Sequence, residues 1–220
     1  MTSPFHLTLL GHSCVLVETA GGSKRPSRIL LDPGTLTPPL EPIPDLDAVL
    51  VTHAHPDHLD PEQLARLFAG GPVPVYGDAA VAAAVSAADL GDATVLAEGV
   101  HRIAGVELAV ASAPHEEIYR GVPLPGNLTF RIADRLFAPG DAFAVPEEPV
   151  DVLLLQTGAP WMKLAETIDY LRAVAPRIAV PVHDGGLAAP HREMHRGLMQ
   201  KFAPEGTTVI RPEIGERIEI

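Results

Sequence analysis

The sequence predicts an α/β protein in which two sheets lie in layers with helices covering them, and three observations carry that prediction. Strand-length apolar stretches occur in both halves of the chain, each half also containing segments of helical character. Residues 48–52 and 150–155 are near-continuous apolar runs of the kind buried on both faces of a sheet. Residues 164–174, by contrast, repeat their apolar side chains at helical spacing. With 220 residues and 46% hydrophobic content, the chain fits one domain over residues 1–220, and nothing in the pattern demands two.

Taken in order, residues 5–10 and 14–18 read as two strands joined by a tight turn at Gly11-His12-Ser13. A polar loop spans 20–27, and a third strand over 28–31 ends at Asp32-Pro33-Gly34. Closely spaced prolines make 38–44 a covering loop, because they fix φ and remove donors. Residues 48–52 form the strand that runs into His53-Ala54-His55-Pro56-Asp57-His58. Asp60 is a helix N-cap with Pro61 in the first turn and an apolar face of Leu64, Leu67 and Phe68. Gly70-Gly71-Pro72 ends that helix, a strand follows over 73–76, and Asp78 caps an alanine-rich helix through residue 88. Short strands are expected over 94–96, 100–103 and 106–110, then a hairpin-like pair over 127–132 and 135–137. After the 150–155 strand and the 164–174 helix come a strand over 178–182, a helix over 193–202 and two short strands between 208 and 220.

Composition narrows the function. A formal net charge of −12, with no basic run longer than Lys24-Arg25, argues against a nucleic-acid partner. The single cysteine, Cys14, excludes an internal disulfide, fits a reducing compartment and reads as a small buried strand residue. No apolar run approaches the roughly 20 residues that span a bilayer, so no membrane partner is expected. The start of the chain lacks a basic-then-apolar pattern, so the expected location is the cytoplasm.

The chemistry concentrates where strands end. His53, His55, Asp57 and His58 follow one strand directly, and Pro56 keeps the segment from continuing as a helix. Imidazole with carboxylate suits zinc, iron or manganese, while an all-oxygen calcium cage is excluded. Adjacent Asp57 and His58 point in different directions, and two ions sharing the loop is the simpler geometry. His115, Asp141 and His183 each follow a later strand in a turn rich in Pro, Gly or Ala. His6 and His101 read as satisfied structural residues, and His191 with His195 as a solvated helix face.

The ordered set Asp32, His53-x-His55-x-Asp57-His58, His115, Asp141 and His183 resembles the metallo-β-lactamase-fold superfamily over nearly the whole chain. Gly11-His12-Ser13-Cys14 and Pro181-Val182-His183-Asp184 more closely resemble small bacterial metal-dependent hydrolases of the ascorbate-6-phosphate-lactonase-like branch. The resemblance implies a four-layer αββα sandwich, two mixed sheets flanked by helices. It implies two divalent ions, Zn²⁺ first with Mn²⁺ or Fe²⁺ as alternatives. One would be held by His53, His55 and His115 and the other by Asp57, His58 and His183, with Asp141 bridging. Asp32 would orient the histidine loop rather than bind metal; from the residues alone it reads equally well as a strand-ending carboxylate. His12 either reaches the pocket or is a structural turn residue.

The expected activity is hydrolysis of an ester, lactone or phosphodiester-like bond in a small molecule by a metal-bound hydroxide, with Asp57 or Asp141 handling protons. The alternatives are a mononuclear iron dioxygenase of the same fold and a non-catalytic metal-binding or sensor protein. Specificity is expected from the loops at 32–44, 115–126 and 158–163. Trp161 is a candidate substrate or subunit contact, though packing at the start of the next helix is the plainer reading. Tyr119 and Arg120 are candidates for an anionic group or simply an exposed pair, and a homo-oligomer is possible through exposed strand edges.

Overall fold

The computed structural model describes residues 5–22 and 25–220; Lys24 of the Lys24-Arg25 pair lies outside them. Among the described residues the first sheet contains β1 (Phe5–Gly11), β2 (Cys14–Ala20), β3 (Pro26–Leu31), β4 (Ala48–Leu50), β5 (Val75–Gly77) and β6 (Ala93–Val95). The second contains β7 (Gly99–Ile103), β8 (Val106–Ser112), β9 (Leu128–Ile132), β10 (Leu136–Ala138), β11 (Val152–Gln156) and β12 (Ile178–Val182). Of the two C-terminal strands, β13 (Thr208–Val209) extends the second sheet beside β12, whereas β14 (Arg217–Glu219) crosses to pair with β1. Among the described residues each sheet therefore has seven strands, in the orders β14-β1-β2-β3-β4-β5-β6 and β13-β12-β11-β10-β9-β8-β7.

Period-two alternation decides what each face buries. In β11, Leu154 and Val152 join the core between the sheets, while Leu153 and Leu155 face outward. In β4, Ala48 and Leu50 face inward and Val49 outward. The inner core runs from Leu7, Val17 and Leu31 on one sheet to Phe130, Ile132 and Val180 on the other. Against the outer face of the first sheet pack α1 (Pro61–Phe68) and α2 (Ala79–Ala87), through Leu64, Leu67, Val81 and Val85. Against the second pack α3 (Leu164–Val174) and α4 (Ala189–Phe202), through Tyr170, Leu171 and Met199. The result is the expected four-layer αββα sandwich of mixed sheets.

Helix starts follow their caps. Asp60 accepts from the N–H of Glu62 and Asp78 from that of Val81, as their positions before α1 and α2 predict. Helix α4 begins four residues earlier than the expected 193, at Ala189, because Pro190 fits a first helical turn and no side-chain cap marks the boundary. Strand β3 likewise starts at Pro26 rather than 28, since proline is tolerated at a strand's first residue. Cys14 is fully buried at the start of β2, where desolvation pushes its thiol pKa up. Among the described residues no helix is long and apolar enough to cross a membrane.

Strand direction positions the site. In the first sheet β1, β3 and β4 run the same way, because β2 is antiparallel to both β1 and β3, and β4 is parallel to β3. In the second, β8, β10 and β12 share a direction by the same reasoning through β9 and β11. His12 and Asp32 follow the C-terminal ends of β1 and β3, and His53 follows β4. His115, Asp141 and His183 follow β8, β10 and β12.

Candidate metal centre

These strand ends converge. His53, His55, His115 and Asp141 present ligand-type atoms within 4.8 Å of one another, and so do His12, Asp57, His58 and His183. Asp141 lies between the two groups: Oδ2 is 3.4 Å from Nε2 of His115 and 3.3 Å from Nε2 of His183, and Oδ1 is 3.2 Å from Nε2 of His58. The ring centroids of His53 and His58, one from each group, are 4.1 Å apart.

The ring nitrogens that face away from the cluster fix the tautomers. Nδ1 of His115 donates to the Glu116 carbonyl at 2.7 Å and Nδ1 of His183 to the Gly158 carbonyl at 2.8 Å. Nδ1 of His58 donates to Oδ2 of Asp32 at 2.9 Å. Thr52 spends its hydroxyl hydrogen on the same Asp32 oxygen at 2.8 Å, so its lone pair accepts from Nδ1 of His53 at 3.0 Å. Four imidazoles are thus left with bare Nε2 lone pairs, all buried and none with a hydrogen-bond partner. Oδ1 of Asp141 is also unpartnered: its approach to His58 lacks hydrogen-bond alignment. Buried acceptors without donors are costly, and a divalent cation is the group that satisfies nitrogen and carboxylate lone pairs together. The residues present therefore fit a metal.

Burial and neighbouring charge set the protonation of these side chains. Burial, with His58 nearby, drops the pKa of His53 to about 2, and burial also lowers those of His55 and His12. Burial opposes the charged form of His58, but Asp141 and Asp32 outweigh it and hold the pKa well above the usual value. For His183 burial is likewise overcome, by the Asp141 and Asp57 carboxylates close to its Nε2, and its pKa rises to about 9. Burial would raise Asp57 and Asp141, yet the surrounding imidazoles keep both below the ordinary carboxylate range. Where no metal is bound, the same carboxylates favour a second proton on His58 and His183, at the Nε2 atoms that a metal would otherwise take.

The seven expected ligands, together with Asp32, His12 and Trp161, lie at or beside this cluster. Asp32 accepts from the Thr52 N–H at 2.8 Å as well as from His58, which places it behind the histidine loop. His12 belongs to the second group, with Nε2 3.2 Å from Oδ2 of Asp57. Trp161 packs against Phe143 with ring centroids 5.4 Å apart, and it also reaches the cluster: its Nε1–H donates to Oδ2 of Asp141 at 3.2 Å, and its ring lies 6.2 Å from that of His115. Tyr119 and Arg120 are exposed and belong to neither group. His195 donates Nδ1–H to the Thr157 carbonyl and His101 is bonded to the Ala97 carbonyl, each at 2.8 Å. Nδ1 of His6 is buried without a partner among the described residues, which corrects the expectation that its ring is satisfied.

Three supporting residues escaped the sequence reading. Thr52 links Asp32 to His53; Asn127 accepts from the Asp141 N–H at 3.0 Å; Gln156 donates to the Gly140 and Ala142 carbonyls that flank Asp141. Backbone strain collects here too. His12, Asp32 and His183 adopt left-handed φ values of 51°, 42° and 58°, which costs on the order of 1 kcal/mol each.

Known proteins resemble this chain over most of its length. The family model described as "Beta-lactamase superfamily domain" matches residues 6–183. Protein Rv0786c of Mycobacterium tuberculosis is 38% identical over 217 residues, covering 94% of this chain and 97% of its own. A UPF0173 metal-dependent hydrolase of Thermofilum pendens is 31% identical over 202 residues, covering 80% and 82%. Among solved structures, the metallo hydrolase Igni18 of Ignicoccus hospitalis superposes with a TM-score of 0.70 at 19% identity, over 99% of this chain and 98% of its own.

Proposed function

The chain belongs to the metallo-β-lactamase-fold superfamily, and from that premise we propose that it is a dinuclear metal-dependent hydrolase of a small molecule bearing an ester, lactone or phosphodiester-like bond. The observation that carries the proposal is the set of four buried Nε2 lone pairs turned toward one cluster while their Nδ1 atoms are committed elsewhere. His53, His55 and His115 would hold one ion, Asp57, His58 and His183 the other, with Asp141 shared. The donor set suits Zn²⁺ first, then Mn²⁺ or Fe²⁺. Bound there, divalent ions supply Lewis acidity and acidify water from a pKa of about 15.7 toward about 7.

The chain's own residues divide the remaining work. Asp141, with a 3% exposed side chain, is the shared carboxylate that fixes the spacing of the two groups, and Trp161 fixes its Oδ2 in turn. Asp57, with a 29% exposed side chain, is the carboxylate of the pair that solvent reaches, and it is the one placed to exchange a proton with water or a leaving group. Asp32 and Thr52 keep protons on the outer nitrogens of His58 and His53 and so hold the inner ones available.

The test is metal analysis coupled to turnover. Protein stripped with chelator and reloaded with Zn²⁺, Mn²⁺ or Fe²⁺ is assayed on generic esters, lactones and bis(p-nitrophenyl) phosphate, and for oxygen uptake. Two equivalents of metal with metal-dependent turnover is the expected result. One iron with oxygen uptake would instead indicate a dioxygenase, and bound metal with neither reaction a sensor.

A further inference from the structure

His12 lies within ligand distance of the second group, yet its hydrogen bonds run opposite to those of the other rings. The N–H of Gly185 donates to Nδ1 of His12 at 3.1 Å, so that nitrogen carries the lone pair. The neutral ring must then carry its hydrogen on Nε2, which faces Oδ2 of Asp57 at 3.2 Å. His53, His58, His115 and His183 all have the reverse arrangement, with Nδ1 donating and Nε2 bare. An Nε2–H cannot ligate a metal.

We propose that His12 is a positioning residue that donates its Nε2–H to Asp57 and braces His183, and is not a fourth ligand of the second ion. Three further contacts support this. The His12 carbonyl accepts from the His183 N–H at 3.0 Å, tying the β1–β2 turn to the end of β12. The two rings stack at a tilt with centroids 4.1 Å apart. A Cβ on Gly185 would sit 3.0 Å from Nδ1 of His12, so glycine there permits the close approach. Offering Nε2 to a metal would require the other tautomer, with a hydrogen on Nδ1 facing the Gly185 N–H, and would leave Asp57 Oδ2 without this donor. The inference rests on the dinuclear reading for its meaning, because Asp57 and His183 are ligands only if that reading holds.

Long-range proton–nitrogen NMR of the imidazoles tests it on the full-length protein, with the His12 signals assigned by their loss in His12→Gln. Expected is a bare Nδ1 and a protonated Nε2 on His12, with or without Zn²⁺, and the opposite pattern on the ligands in the Zn²⁺-loaded protein. A protonated Nδ1 with a metal-shifted Nε2 on His12 overturns the proposal. A protein that takes up no Zn²⁺ defeats the hydrolase reading instead, while the metal-free spectrum still reports the tautomer. Zn²⁺ titration gives a second readout: His12→Ala weakens the second ion about 10–100-fold, and His12→Gln, which keeps an N–H donor near the Nε2 position, restores most of that loss. Equal weakening in both variants contradicts the donor role.

Discussion

Oδ2 of Asp32 accepts a hydrogen bond from Nδ1 of His58 at 2.9 Å, and both side chains are buried. This pairing decides which nitrogen of His58 faces the cluster bare. Asp32→Asn removes the charge and can present an N–H where an acceptor is needed, so the tautomer is no longer enforced. Zn²⁺ affinity for the ion bound by His58 is expected to fall about 10–100-fold with the fold retained. Competition with a chromophoric chelator, alongside circular dichroism, measures both; unchanged affinity would show that Asp32 does not orient the ligand.

A pH prediction follows from the metal-free charge state. The folded pKa of His183 is raised to about 9 against about 6.5 for an ordinary histidine, so its proton stabilises the fold fully below about 6.5, and that stabilisation is lost as pH rises through about 9. His58 is shifted in the same direction. His53 is shifted oppositely, but its effect lies below pH 6.5, where the unfolded chain takes up a proton that the folded one refuses. Between pH 6.5 and 9 the metal-free protein should therefore lose stability, on the order of 3 kcal/mol from His183 alone. The Zn²⁺-loaded protein, whose imidazoles are neutral ligands, should not. Thermal melts across that range with chelator and with Zn²⁺ make the comparison; parallel curves would contradict the assignment.

Gly34 tests the packing behind the histidine loop. A Cβ there would meet the Asp57 carbonyl oxygen at 1.9 Å and the His58 nitrogen at 2.5 Å, both backbone atoms. Gly34→Ala must displace the loop, with a cost of about 1–3 kcal/mol and a lowered Tm of roughly 2–4 °C per kcal/mol. Zn²⁺ affinity should fall with it. An alanine variant that melts and binds like the parent would mean that the loop adapts freely.

Trp161→Phe keeps an aromatic ring but deletes the N–H that reaches Oδ2 of Asp141 at 3.2 Å. Its expected signature is a loss of turnover on whichever generic substrate is cleaved, of about 1 kcal/mol in transition-state terms or roughly fivefold, with metal stoichiometry unchanged. Full activity would assign Trp161 to packing alone.

The sequence made the candidate ligands legible because each sits at a strand end, and strand ends are local features. His53 to His58 announce themselves by spacing, and His115, Asp141 and His183 by the turns that follow apolar runs. What supports them is not local. Thr52 meets Asp32 across 20 residues and Asn127 meets Asp141 across 14, contacts that exist only once the sheets are assembled. The tautomer of His12 depends on Gly185, 173 residues away. In the fold, the apolar runs exposed the layers, but that β13 and β14 join different sheets follows from strand pairing, which no local pattern encodes. The early start of α4 was hidden because no capping side chain marks it.

The central claim is that two ion-binding groups share Asp141. Metal content by mass spectrometry on Zn²⁺-reconstituted wild type, His55→Ala, His183→Ala and Asp141→Asn tests it most directly. The account predicts two equivalents in the wild type, about one in each histidine variant, and weakened retention of both ions in Asp141→Asn. A single equivalent in the wild type, lost alike in His55→Ala and His183→Ala, would contradict it.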